Sequence, residues 1–175
     1  SYFDPQFFTK ITLENTPTGT NAFDDGKYVF GSQSGAYGVV EGNGTGVYST
    51  GVLLFVKTLS GRFLPGETIR DEAGNTVRIA KENTISHFVA QARGLGYADG
   101  ATLLINGLEF DASKIEVKRT NGGSIYGAVI SNRRAVDVEY AQPPAVTVKN
   151  PDGAATPNAV ANVVPVLFRN TVTTY

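Results

Sequence analysis

Glycine punctuation constrains this chain more than any other feature of its sequence. Its 20 glycines cut the sequence into short β-favouring runs. Thr9-Lys10-Ile11-Thr12-Leu13-Glu14 alternates, with Ile11 and Leu13 on one face, and reads as a half-buried strand. Asn15 to Gly26 is a loop by composition. Lys27-Tyr28-Val29-Phe30 reads as a strand closed by Gly31, and Tyr37-Gly38-Val39-Val40 as another. Asn43-Gly44 then signals a hairpin, because a type I′ turn needs positive φ at both central residues. Val47 to Thr58 is a longer run that Gly51 interrupts, as at a bulge or bend. Arg62 to Ile69 reads as strand, tight turn, strand, and after the Asp71–Asn75 turn Val77 and Ile79 alternate with polar residues. Short strands at this spacing form small barrels or sandwiches.

The second half continues the pattern with one exception. Thr102 to Ile105, Asn106-Gly107 and Leu108-Glu109-Phe110 make a second hairpin signal. Lys114 to Lys118, Ile125 to Ile130 and Ala135 to Tyr140 read as further strands. Gln142-Pro143-Pro144 suits a linker or an edge, Asn150-Pro151-Asp152-Gly153 a turn, and Ala154 to Asn162 a loop. Tyr37-Gly38-Val39-Val40 and Tyr126-Gly127-Ala128-Val129 form a weak internal echo. In Asn83 to Gly94, however, Ile85, Phe88, Val89 and Ala92 fall at helical spacing, with Asn83 or Thr84 to cap the start and Gly94 to end it. The expectation is an all-β fold of small β-barrel or β-sandwich domains, with one short helix near residues 84–93. Residues 1–26 would form an N-terminal aromatic arm and loop, 27–82 a small barrel-like module, and 83–175 a second β-rich region with one helix, either separate or one domain with the first.

Composition removes whole classes of chemistry. At 175 residues there is room for one domain or two small ones. A net charge of -1 argues against nucleic-acid or anionic-membrane partners. No run approaches the roughly 20 apolar residues that a membrane-spanning helix needs. Charged residues are 18% of the chain, which leaves more uncharged surface than usual. There is no Cys and one His, so thiolate chemistry and a histidine-rich metal site are both excluded within one chain. There is no Met, and Val166 to Tyr175 is β-favouring to its end. Either a fragment or a tied-down terminal strand fits that ending.

The remaining candidates for chemistry are few. His87 sits beside Ser86, but neighbours in sequence point apart on a helix, so the pair makes a poor base and nucleophile. Asp24/Asp25, Asp71/Glu72 and Glu109/Asp111 are carboxylate pairs of the kind a glycosidase uses, yet the first two lie beside glycine in turns, where Asp supports the backbone. Neither Asp24 nor Asp99 lies in a loop with the ligand spacing of an EF-hand. Gly42-Asn43-Gly44-Thr45-Gly46 lacks the helix or Gly-Lys-Ser/Thr ending of a phosphate loop. Lys114, Lys118, Arg119, Arg133 and Arg134 are interrupted by acids and lie on alternating strands. No catalytic residue, cofactor or metal is expected.

Ser34-Gly35-Ala36-x-Gly38-x-Val40 followed by Gly61-x-Phe63-x-x-Gly66-Glu67-x-Ile69 resembles a small β-module of virion proteins of tailed bacteriophages, over residues 31 to 79. The resemblance implies a non-enzymatic virion structural protein, a tail component by first expectation, whose partners are its own copies and other virion proteins. The aromatic Tyr2, Phe3, Phe7 and Phe8, and then Val166, Leu167 and Phe168, are the expected interface residues. The alternative expectation is a non-enzymatic module that binds a host-surface glycan through exposed Tyr residues on one face.

Overall fold

The computed structural model describes residues 7–41 and 53–175, and for Phe7 the backbone alone. The protein is all-β and divides into two compact units, Ser1–Glu82 with Arg169–Tyr175, and Asn83–Phe168. This division differs from the expected one at both ends. The segment expected as an arm supplies a strand inside the first sheet, and the last seven residues join the first unit instead of the second.

The first unit is one curled antiparallel sheet. Its strands are β1 (Phe7–Thr12), β2 (Tyr28–Gly31), β3 (Tyr37–Val40), β4 (Leu53–Ser60), β5 (Thr68–Asp71), β6 (Thr76–Arg78) and β14 (Val172–Thr174), in the order β14-β1-β4-β3-β2-β5-β6. The curl brings the far end back to β1. Leu13 bridges to Ile79, Glu14 N–H donates to the Arg78 carbonyl (3.1 Å), and Ala80 N–H to the Thr12 carbonyl (2.8 Å). The result is a half-barrel. Period-2 alternation explains it: Ile11, Val29, Val40, Leu54, Val56 and Ile69 all turn inward, where Phe23 and Phe63 complete the core. Each such side chain contributes about 1.5–3 kcal/mol against the chain entropy that folding costs. Gly38 lies where a Cβ would strike the Lys57 carbonyl, so the β3–β4 approach requires glycine. The run Arg62-Phe63-Leu64 is not a strand. Phe63 enters the core, and Leu64 N–H donates to the Glu67 carboxylate and so is taken by a side chain.

The second unit has three small sheets: β7 (Ile85–Ala92) with β13 (Asn162–Leu167); β8 (Thr102–Ile105) between β9 (Leu108–Phe110) and β12 (Val146–Lys149); and β10 (Ile115–Arg119) with β11 (Ile125–Ile130). Ile85, Leu103, Ile115 and Ile125 lie at the centre of its core. Asn106 (φ 49°) and Gly107 (φ 82°) form the β8–β9 turn, both with positive φ.

The helix expected near residues 84–93 is strand β7, and the reason is visible in its register. Leu167 faces Ile85 while Val166 faces His87, so Ser86 is an extra residue in a bulge. The bulge moves the next inward side chain from two residues on to three, and Ile85 and Phe88 are both buried. A bulged strand thus reproduced part of a helical spacing. Val89, which a helix would have buried, is 42% exposed. Ala135 to Tyr140 is also not a strand. Asn132 accepts from Arg134 N–H and caps one 3₁₀ turn over Arg133–Val136, of which only Val136 is buried.

Candidate functional site

The acidic residues singled out in the sequence are mostly at work on the backbone. Asp71 is fully buried at the end of β5, and its carboxylate accepts from the N–H groups of Phe23 (3.0 Å), Ala73 (3.0 Å) and Asn75 (2.9 Å) and from the Asn75 amide (2.9 Å). Lys27 Nζ stands 3.7 Å away. Burial alone would raise the Asp71 pKa; the Asn75 side chain, the N–H groups of Phe23 and Asn75 and the Lys27 charge together outweigh it and hold the carboxyl below its usual range. Glu72 accepts from Tyr28 N–H at 3.2 Å. Asp111 accepts from the Ser113 hydroxyl and N–H, which lower its pKa, and Glu109 accepts from Thr102 Oγ1 at 2.7 Å and lies 3.6 Å from Lys149 Nζ. Asp24 and Asp25 stay in a surface turn.

Glu67, which carries the resemblance motif, has the most constrained position. Its carboxylate is buried and accepts from Gln33 N–H (3.0 Å), Ser34 N–H (2.9 Å), Ser34 Oγ (3.1 Å) and Leu64 N–H (2.5 Å). Ser34 Oγ in turn accepts from Ala36 N–H at 3.1 Å. The Ser-Gly-Ala turn and the Gly-x-Phe-x-x-Gly-Glu turn are therefore two halves of one clasp. Gly31 completes it, since a Cβ there would collide with Ser34 Oγ and the Glu67 carboxylate.

Glu82 clasps the other end of the same unit, accepting from the N–H groups of Asn170 (3.1 Å) and Thr171 (2.6 Å) and from Thr171 Oγ1 (2.9 Å).

The expected interface residues scatter. Tyr2 and Phe3 lie outside the described residues, Phe7 is in β1, and Phe8 is 38% exposed on the outer face of the half-barrel. Val166 is 37% exposed on β13, whereas Leu167 is buried in the core of its own unit and Phe168 is buried with Arg133 over its ring.

His87 is exposed, with Nδ1 3.1 Å from Ser86 Oγ. The basic stretch is dispersed: Lys118 pairs with Glu116, Arg119 donates to the Thr120 carbonyl, and Arg133 to those of Ile85 and Ser86. Among the described residues no cluster of three or more His, Asp or Glu could hold a metal ion, and no helix is long and apolar enough to cross a membrane.

One surface was not foreseen. On the outer face of the half-barrel Tyr28 and Phe30 of β2 meet Tyr37 of β3, with ring centroids 6.5 Å and 6.4 Å apart and planes within 30°. Arg70 of β5, directly across from Phe30, lies 4.5 Å over that ring. Lys57 follows across Val39 in the next row. The alternation Tyr28-Val29-Phe30 already placed both rings opposite the buried Val29; the strand pairing that adds Tyr37 and Arg70 has no local signal. A separate cleft of about 300 Å³ opens beside Thr9, Thr58, Ser60, Arg62 and Thr174 in the same unit, and among the described residues no carboxylate or imidazole side chain lines it.

No family model, curated protein or solved structure matches the chain.

Proposed function

We propose that the chain is a non-catalytic structural protein of a tailed-phage particle, a tail component, that works through subunit contacts in the virion. The observation that carries this reading is the Glu67 clasp. The residues on which the resemblance rests, Ser34, Gly61, Phe63, Gly66 and Glu67, belong to one folded device: a carboxylate, its four donors, the core residue Phe63 and the turns around them. That device ties two turns of the half-barrel into one frame through a single side chain. Outside the frame, Phe8 and Val166 leave apolar surface for contact, and Tyr28, Tyr37 and Arg70 are of the types that dominate interface energetics.

Mass spectrometry of purified particles from the source culture, with labelling by an antibody to this chain, tests the reading. The chain is expected in stoichiometric copies on the tail, and the purified chain is expected to self-associate or to bind another virion protein. Absence from particles, together with a monomer at high concentration, overturns it.

A further inference from the structure

Asparagine is a thermally labile residue, most of all before glycine, where no Cβ shields the next backbone nitrogen. The chain has three such pairs, Asn43-Gly44, Asn106-Gly107 and Asn121-Gly122. The first lies outside the described residues. The other two lie in the β8–β9 and β10–β11 hairpin connections, and the structure holds them in opposite ways.

Asn106 is tied by both its backbone and its side chain. Its N–H donates to the Ala145 carbonyl at 2.8 Å, and its Oδ1 accepts from Ala145 N–H at 3.0 Å. Turning the carboxamide onto Gly107 N works against this pair of bonds. Asn121 and Gly122 are both exposed, and neither makes a hydrogen bond among the described residues. Their neighbours carry the bonds of the turn. Thr120 N–H donates to the Ser124 carbonyl (2.9 Å), Gly123 N–H to the Thr120 carbonyl (3.0 Å) and Ser124 N–H to Thr120 Oγ1 (3.2 Å). Gly123 is pressed against the backbone of Gly96 and Tyr97, and its carbonyl accepts from Tyr97 N–H at 3.1 Å. Gly122, by contrast, stands in open space: a Cβ there would meet only Thr120 Oγ1, at 3.9 Å.

We propose that Asn121 is a site of spontaneous deamidation and that Asn106 is protected from the same reaction by its hold on Ala145. Gly122 N attacks Asn121 Cγ, and the new N–C bond closes a succinimide ring. The Cγ–Nδ2 bond breaks, and ammonia leaves with the proton that Gly122 N gives up. Water is the only co-reactant. It opens the ring at Cγ to give aspartate, or at the backbone carbonyl to give isoaspartate, whose main chain then runs through Cβ. Either product adds a negative charge to the turn that follows Lys118 and Arg119. Isoaspartate also lengthens a turn whose far end is fixed at Gly123, so the Thr120–Ser124 closure is the first structure to yield.

Incubation of the full chain at mildly alkaline pH, in buffer and in urea, followed by peptide mapping with mass spectrometry, tests the proposal. In buffer Asn121 should convert about tenfold faster than Asn106, which must first break its bonds to Ala145. In urea the two rates should fall within a few-fold of each other, since the fold no longer distinguishes them. Gly122→Ala, which the open space admits, and Asn121→Gln should each nearly abolish conversion at that position and leave the unfolding curve unchanged. The proposal is overturned if Asn121 stays intact in buffer, or if Asn106 converts as fast in the folded chain. It is also overturned if the tenfold gap persists in urea, or if the Gly122→Ala chain deamidates at Asn121 like the parent. None of these measurements depends on the virion reading.

Discussion

The two units solve the same problem, holding many short strands in place, with different chemistry. The first uses ionised side chains. Glu67, Asp71 and Glu82 each gather several N–H groups of turns that no ladder satisfies. The second leans on neutral ones, beside Arg133 on the Ile85 and Ser86 carbonyls and the exposed Asp111 on Ser113 N–H. Asn150 accepts from Ala98 N–H (2.8 Å) and donates to the Gly96 (3.3 Å) and Ala155 (2.9 Å) carbonyls, and Tyr97 OH accepts from Ala161 N–H at 3.0 Å. A buried carboxylate forms stronger bonds than an amide does, but leaves more behind when removed. The contrast says that the first unit concentrates its stability in a few anions, whereas the second spreads it.

Removing an anion should therefore produce the largest single effect. Glu67→Ala leaves the Gln33, Ser34 and Leu64 donors without their acceptor, and the expected loss is about 3 kcal/mol. Urea unfolding gives the size, and hydrogen exchange resolved by residue gives the location. Protection should fall in β2, β3 and β5 and hold in β8, β10 and β11. Equal loss in both units would break the comparison.

The matching change in the second unit is Asn150→Ala. It orphans two carbonyls and one N–H at a partly exposed site where water can enter, so the expected loss is about 1–2 kcal/mol. The same exchange experiment should now show the deficit near Gly96, Ala98 and Ala155. A loss as large as that from Glu67→Ala would mean that charge is not what distinguishes the two units.

Much of the fold was readable where a rule acts locally. Ile11 and Leu13, Val29, and the Asn106-Gly107 turn follow from alternation and from the φ that a tight turn demands. Strand β7 was misread because its bulge at Ser86 depends on the partner strand, which lies some eighty residues later and leaves no mark near Ile85. The same limit hid the aromatic face. Tyr28 and Phe30 are two apart, but Tyr37 and Arg70 reach them only through the β3-β2-β5 pairing. The Glu67 motif was recognisable as a pattern, while its purpose was not, since the donors of Ser34 lie thirty-three residues away. Leu167 and Phe168, both buried, show the same limit. Apolar content shows that a side chain seeks burial, not whether its own unit already supplies it.

Acid gives the smallest and most selective test of the contrast. The Asp71 carboxyl is held below its ordinary value of 3.8, so the native state favours the ionised form more than the unfolded chain does. Its contribution is complete above that ordinary value and is lost as the pH falls on through the lower folded value. Lowering the pH from about 5 to about 3.5 should thus remove only the first part of it. Asp111 in the second unit is shifted the same way by Ser113, but it lies exposed, where solvent screens the effect. Opening free energies from hydrogen exchange, corrected for the intrinsic pH dependence, should decline first at Phe23, Ala73 and Asn75, whose N–H groups Asp71 holds. Asp71→Asn should lower stability at neutral pH and flatten that acid response. If the response survives in the variant, or if β8 and β11 weaken in parallel with β2 and β5, the first unit's reliance on buried anions is wrong.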